Sequence, residues 1–339
     1  MKTQIIKSVV ICLGFLIPSL TWAYDFEGYV EVGEGSELFV KYDKAEPGKQ
    51  TLVFVNGLVY SIERWEPVTS QLAEQGFGVL HFDFEGQDRS YVHAMDKYNG
   101  EPPFMKKGIS LEGMSEQLDS LVTHFGIENF ALVGLSYGSA LATEYAQRFP
   151  DKINHIVYIS PLVLPLDYYE PQGYMFRTWL ASLEWWGPVG TFWANYYYDL
   201  VYGWYFGMKS GSSGVDYGQW TDKYHRAVFH QIKAIKDFNL KEVPLDEVLT
   251  DGKVHMLTAS NEDSRYLEDQ NGMWNIWSEE IKGGLVNVQE GYHALPDTNP
   301  SEMIKILIQI ASDDDAFSAG QSYVGSMRDG ELVLEPSEL

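Results

Sequence analysis

The chain has 339 residues, 45% hydrophobic and 21% charged, which suits one large globular domain with a sizeable core. Its formal net charge is −24, so bulk electrostatics argue against nucleic acid or an anionic membrane as a partner. The single cysteine is Cys12, which leaves nothing after residue 23 for a disulfide, a thiolate nucleophile or a cysteine metal ligand.

The first 23 residues read as a signal peptide. Lys2 and Lys7 precede the apolar "SVVICLGFLIPSL", and "TWA" ends on small Ala23. The apolar stretch is short for a bilayer span, so no stable membrane anchor is expected after cleavage. Loss of the two lysines makes the remainder two charges more negative. The expected location is periplasmic or extracellular, and the lack of disulfides and of a glycosylation sequon points to a bacterium.

"YVEVGEGSELFVKYDKA" alternates around Gly33 and Gly35 and predicts a β-hairpin. "QTLVFVNG" is a buried parallel strand ending at Gly57, and "EPVTSQLAEQG" is a helix that stops at Gly76. "FGVLHFDFEGQDRS" is a second buried strand running into a polar loop. Leu111, Met114, Leu118, Leu121, Val122 and Phe125 recur at helical spacing. "NFALVGLS" is a strand, "SALATEYAQRFP" a helix and "INHIVYISP" a strand. This alternation predicts an α/β fold: a mostly parallel central sheet with helices on both faces.

The alternation breaks over residues 162–248, where no clean strand occurs and aromatics crowd "WLASLEWWGPVGTFWANYYYDLVYGWYFG". It resumes with "KVHMLTASNED", "LVNVQEGYHALPD" and "SEMIKILIQIA". The expected organisation is therefore a core of 24–161 and 249–312, a helical cap insertion over 162–248, and an acidic tail over 313–339. Disorder or surface packing is expected for that tail.

"GLSYG" places Ser136 between Gly134 and Gly138 where a strand meets a helix. In that setting Gly-x-Ser-x-Gly predicts a nucleophile elbow: the small flanking residues permit the tight turn and the serine hydroxyl stands clear of the sheet. The helix start adds a dipole that favours developing negative charge. A serine hydroxyl needs a base. Of eight histidines, His81 and His255 sit in apolar strand runs, His124 and His155 at element ends as surface residues, His93 in a polar loop, and His225 and His230 in the insertion. His293 lies in a Gly-flanked loop after the last strand and is the expected base. The acid should follow the preceding strand, where Glu262 and Asp263 are both available. Asp263 is favoured.

The chain resembles the α/β-hydrolase superfamily from Tyr29 to Ala311. The similarity rests on the elbow, the Ser–acid–His order and "FVNGLVYSIERWEPVTSQLAEQGFGVLHFDFEGQDRS". Asn56-Gly57 stands where many members have His-Gly. The resemblance implies oxyanion donors at the N–H groups of Leu58 and Tyr137, and a cap over the site. Trp185, Trp186 and Trp193 are expected to line the cap's substrate pocket. The function implied is a secreted serine hydrolase, lipase- or carboxylesterase-like, acting on a small-molecule or lipid-like ester with an apolar acyl or aryl part. Acyl transfer and aminopeptidase-like trimming use the same triad, and a non-catalytic binder on the same scaffold is the alternative from another class. No metal or organic cofactor is implied, and the oligomeric state stays open.

Overall fold

A computed structural model of the chain describes residues 24–58, 60–169, 225–244, 253–279, 282–312 and 320–337, with positions 179, 183, 186–190, 192, 193, 196 and 317. The expected signal peptide and much of the expected cap lie outside the described residues.

Among the described residues, ten strands form one sheet in the order β1-β2-β4-β3-β5-β6-β7-β8-β9-β10. The strands are β1 (Phe26–Gly33), β2 (Ser36–Asp43), β3 (Thr51–Val55), β4 (Gly78–Phe82), β5 (Phe130–Leu135), β6 (Ile153–Ile159), β7 (Lys253–Ala259), β8 (Gly284–Val288), β9 (Gln321–Arg328) and β10 (Glu331–Pro336). The hairpin β1–β2 is antiparallel and joins β4 antiparallel, whereas the pairs from β4 through β9 are parallel. Strands β3, β4 and β5 are buried at every position, as continuous apolar runs must be when helices cover both faces. The two faces carry separate apolar clusters. One includes Leu118, Leu132, Leu141 and Trp274; the other includes Phe54, Trp65, Val133 and Leu307.

The insertion 162–248 leaves the sheet after β6 and returns to it at β7, which pairs parallel with β6. Its described ends are helical, Leu166–Tyr169 and His225–Ala234. The second helix packs into the core through Ala227, Val228 and Ile232. Among the described residues no helix is long and apolar enough to cross a membrane.

Three expectations are corrected. The tail is structured from Gln321 to Pro336: β9 adds parallel to β8 and turns back as β10. Its few apolar residues suffice because Phe317 and Tyr323 bury against the sheet, while β10 lies at the edge and keeps Glu331 and Glu335 in solvent. The polar stretch after β4 is partly helical, Asp88–Lys97, and His93 on it meets Glu37 at 2.7 Å. His155 is buried rather than at the surface, with Nδ1 3.4 Å from His255 Nε2 on the neighbouring strand.

His81 is fully buried on β4, and neither ring nitrogen has a hydrogen-bond partner among the described residues. Desolvation first, and the nearby Lys41 ammonium second, push its pKa down to about 3. In the unfolded chain the imidazole titrates near its usual ~6.5. Between those values the unfolded state binds a proton that the folded state refuses, so stability rises with pH across that window and is lost as the solution is acidified. The full contribution is about 1.4 kcal/mol per pH unit. Urea unfolding from pH 4 to 7 should therefore show a shallower pH slope for His81→Phe than for wild type. Equal slopes would mean that His81 titrates normally in the fold.

Candidate active site

Strand β5 runs into the helix Tyr137–Arg148 through Ser136, whose φ of 50° and ψ of −110° lie outside the regions open to most side chains. Two close approaches enforce the turn. A Cβ on Gly134 would lie 2.7 Å from Gly138 O, and one on Gly138 would lie 2.4 Å from Val55 O. Ser136 N donates to Ile159 O at 2.9 Å on β6, and Ser139 N closes the turn onto Ser136 O at 2.9 Å. The strain is thus held by the sheet on one side and the helix on the other.

His293 comes from the loop after β8. Its Nε2 is 2.8 Å from Ser136 Oγ. Its Nδ1 is 2.6 Å from Glu262 Oε2. Glu262 sits in the turn after β7 with its side chain 5% exposed, against 28% for His293. The other Glu262 oxygen accepts the Asp263 N–H at 3.0 Å, which fixes the carboxylate's orientation. A hydroxyl, an imidazole and a buried carboxylate thus form one continuous hydrogen-bonded chain.

The acid against His293 is therefore Glu262, and the expectation of Asp263 is corrected. Asp263 caps the helix Ser264–Trp277: its Oδ1 accepts from Arg265 N at 3.1 Å and its carboxylate pairs with the Arg265 guanidinium at 3.0 Å. A capping aspartate is turned toward its own helix start, and a side chain so committed is not aimed at the neighbouring loop.

The loop after β3 lies beside the elbow. Gly57 packs beside Leu135, where a Cβ would make an ordinary 3.5 Å contact with Leu135 O. Leu58 follows, half-buried, and Tyr137 opens the helix, so its N–H belongs to a first turn without intrahelical acceptors. The loop rests on buried amides. Asn56 Oδ1 accepts from Trp65 Nε1 at 2.9 Å, and Asn56 Nδ2 donates to Phe82 O at 3.0 Å. The Asn56 side chain therefore acts as a loop support.

On the far side, Arg64 holds Asp297 in a two-pronged pair at 2.5 and 3.3 Å. Asp297 lies on the short helix Leu295–Thr298, just after His293, so the pair ties the two loops together. Desolvation raises the Asp297 pKa and the guanidinium opposes that shift. Below the loop, Glu63, Asp83 and Asp88 gather within 4.8 Å. Arg89 lies 2.7 Å from Glu63, and burial raises the pKa of Asp83 well above the usual carboxylate range.

One aromatic missed in the sequence approaches the histidine, and a second packs behind it. The Tyr266 ring lies 5.9 Å from the His293 ring and stacks on Tyr169 at 4.0 Å. Tyr169 is held in turn by Asp269 at 2.9 Å, and its carbonyl accepts from Arg265 at 2.8 Å. The start of the insertion is thereby docked beside the site. The only sequence signal was the aromatic excess, which does not single out these positions. Of the three expected pocket tryptophans, Trp185 lies outside the described residues. Trp186 is 79% exposed and Trp193 46%, so neither is enclosed. Val189, Phe192 and Tyr196 are exposed as well, and the sequence from 185 to 198 carries no charged residue.

A family model described as alpha/beta hydrolase fold matches residues 50–189. The abhydrolase domain-containing protein abhd-5.2 of Caenorhabditis elegans is 26% identical over 135 residues, covering 38% of this chain and 28% of the relative's own length. Among solved structures, a thermophilic esterase from Thermogutta terrifontis superposes with a TM-score of 0.61 at 14% identity, over 84% of this chain and 97% of the esterase. A bromoperoxidase from Bacillus anthracis gives 0.59 at 14% identity, over 84% and 99%. Likeness at such identities is likeness of fold.

Proposed function

This chain is an α/β hydrolase by fold, and from that premise we propose that it is a serine hydrolase cleaving carboxylic esters with an apolar acyl or aryl part. The observation that carries the reading is the chain of hydrogen bonds Ser136–His293–Glu262, at 2.8 and 2.6 Å. In the proposed reaction Ser136 Oγ attacks the ester carbonyl and its proton passes to His293 Nε2. Glu262 stabilises the imidazolium and keeps Nδ1 protonated. The carbonyl oxygen becomes an oxyanion facing the Leu58 and Tyr137 N–H groups. The tetrahedral species collapses, the C–O bond to the alcohol breaks, and the alkoxide takes the proton from His293. Water then repeats the sequence on the acyl-enzyme and releases the acid.

The apolar substrate class is supported by the exposed aromatics of the insertion and by Tyr266 beside His293. Export is part of the proposal and rests on the basic and then apolar character of residues 1–23.

A fluorophosphonate probe followed by a p-nitrophenyl ester series tests the reading. Labelling at Ser136 is expected, with kcat/KM rising roughly ten- to a hundredfold from acetyl to medium chains, since each buried methylene contributes up to ~0.8 kcal/mol. Absence of labelling and of turnover on every ester would leave a binding protein on this scaffold. Turnover of acetyl esters alone would replace the apolar class by short-chain esters.

A further inference from the structure

Resting on the esterase reading, we propose that Gln87 is a positioning residue that aims and polarises the Leu58 N–H as an oxyanion donor. The Gly57 carbonyl and the Leu58 N–H belong to one peptide group. No peptide among the described residues is cis. In a trans peptide the C=O and N–H point in opposite directions across a rigid plane, so whatever holds the oxygen also aims the N–H.

Two donors hold that oxygen: Gln87 Nε2 at 2.9 Å and Tyr60 N at 3.2 Å. The Gln87 amide cannot turn over without loss, because its Oε1 accepts from Phe84 N and from Asn56 Nδ2, each at 3.3 Å. Asn56 is itself anchored at both ends by Phe82 O and Trp65 Nε1. Phe84, Phe82 and Trp65 thus fix which end of the Gln87 amide is the donor. Asn56, Trp65 and Gln87 are all buried, so these hydrogen bonds act with little screening by water.

Donation to a carbonyl oxygen draws electron density from the peptide and makes its N–H a stronger donor, an effect of about 10–30% per bond. The gain matters most when the acceptor becomes an oxyanion, so it belongs to the transition state more than to substrate binding. Gln87 stays buried beneath the loop and works through Gly57.

The experiment compares wild type with Gln87→Glu and Gln87→Leu. The glutamate keeps the acceptor for Phe84 and Asn56 but, when ionised, has no proton to donate to Gly57 O. The leucine removes both functions. Loss of a whole oxyanion donor costs about 10²–10³ in kcat. Weakening one should cost about ten- to fiftyfold in kcat, with KM within about twofold. A trifluoromethyl ketone, whose adduct with Ser136 carries an oxyanion, should lose affinity in parallel with kcat. Gln87→Glu should recover part of the loss as pH falls and its carboxyl gains a proton, measured relative to wild type at each pH.

Folded variants with kcat within threefold of wild type would overturn the proposal. So would a fall in kcat with unchanged trifluoromethyl ketone affinity, the mark of a merely structural role. If Gln87→Leu does not fold, Gln87→Glu decides alone, and if neither folds the residue is a structural support and the proposal fails. Wild type inactive on every ester would sink the esterase reading along with this one. An active wild type with indifferent variants would sink this one only.

Discussion

Ser136→Ala is expected to lower kcat by a factor on the order of 10⁶, as removal of a triad nucleophile does when the remaining groups act as one unit with it. The fold should survive, because the Ser136 hydroxyl points out of the elbow toward His293 while the backbone N–H, bound to Ile159 O, keeps the turn. Fluorophosphonate labelling should vanish. Retention of a tenth of wild-type turnover would correspond to only ~1.4 kcal/mol of transition-state stabilisation and would rule out Ser136 as nucleophile.

Glu262→Gln is the second large effect, about 10⁴ in kcat, because the imidazole loses both its charge partner and the acceptor that selects its tautomer. Asp263→Asn should cost less than tenfold in kcat. It removes a charge from a partly exposed pair with Arg265, a stability change of at most about 1 kcal/mol, and keeps the helix cap, since an asparagine oxygen caps about as well as an aspartate one. Steady-state kinetics on the two purified variants decide between them. The reverse ranking would reassign the acid to Asp263, against the 2.6 Å contact of Glu262 with His293.

The fold class is legible in the sequence, which also singles out Ser136 and His293, the two side chains that the fold brings to 2.8 Å. Each depends on a local pattern: strand-to-helix transition, two glycines four apart, a histidine in the loop after the last parallel strand of the expected core. The acid was a different matter. Glu262 and Asp263 are adjacent, and one step along a turn reverses the direction of a side chain. Which one meets His293 depends on packing: the start of the helix at Ser264 draws Asp263 into capping and leaves Glu262 facing the buried side.

The tail followed the same logic. Gln321–Arg328 carries little apolar signal, and it becomes a strand because β8 offers an open edge of N–H and C=O groups. The support beneath the oxyanion loop also lay outside local pattern. Asn56 and Gln87 are 31 residues apart and their amides meet at 3.3 Å. No local pattern marks a polar residue at a strand end and another in a polar loop as partners. They are buried together here because β3 and β4 are parallel neighbours that end at the same edge of the sheet.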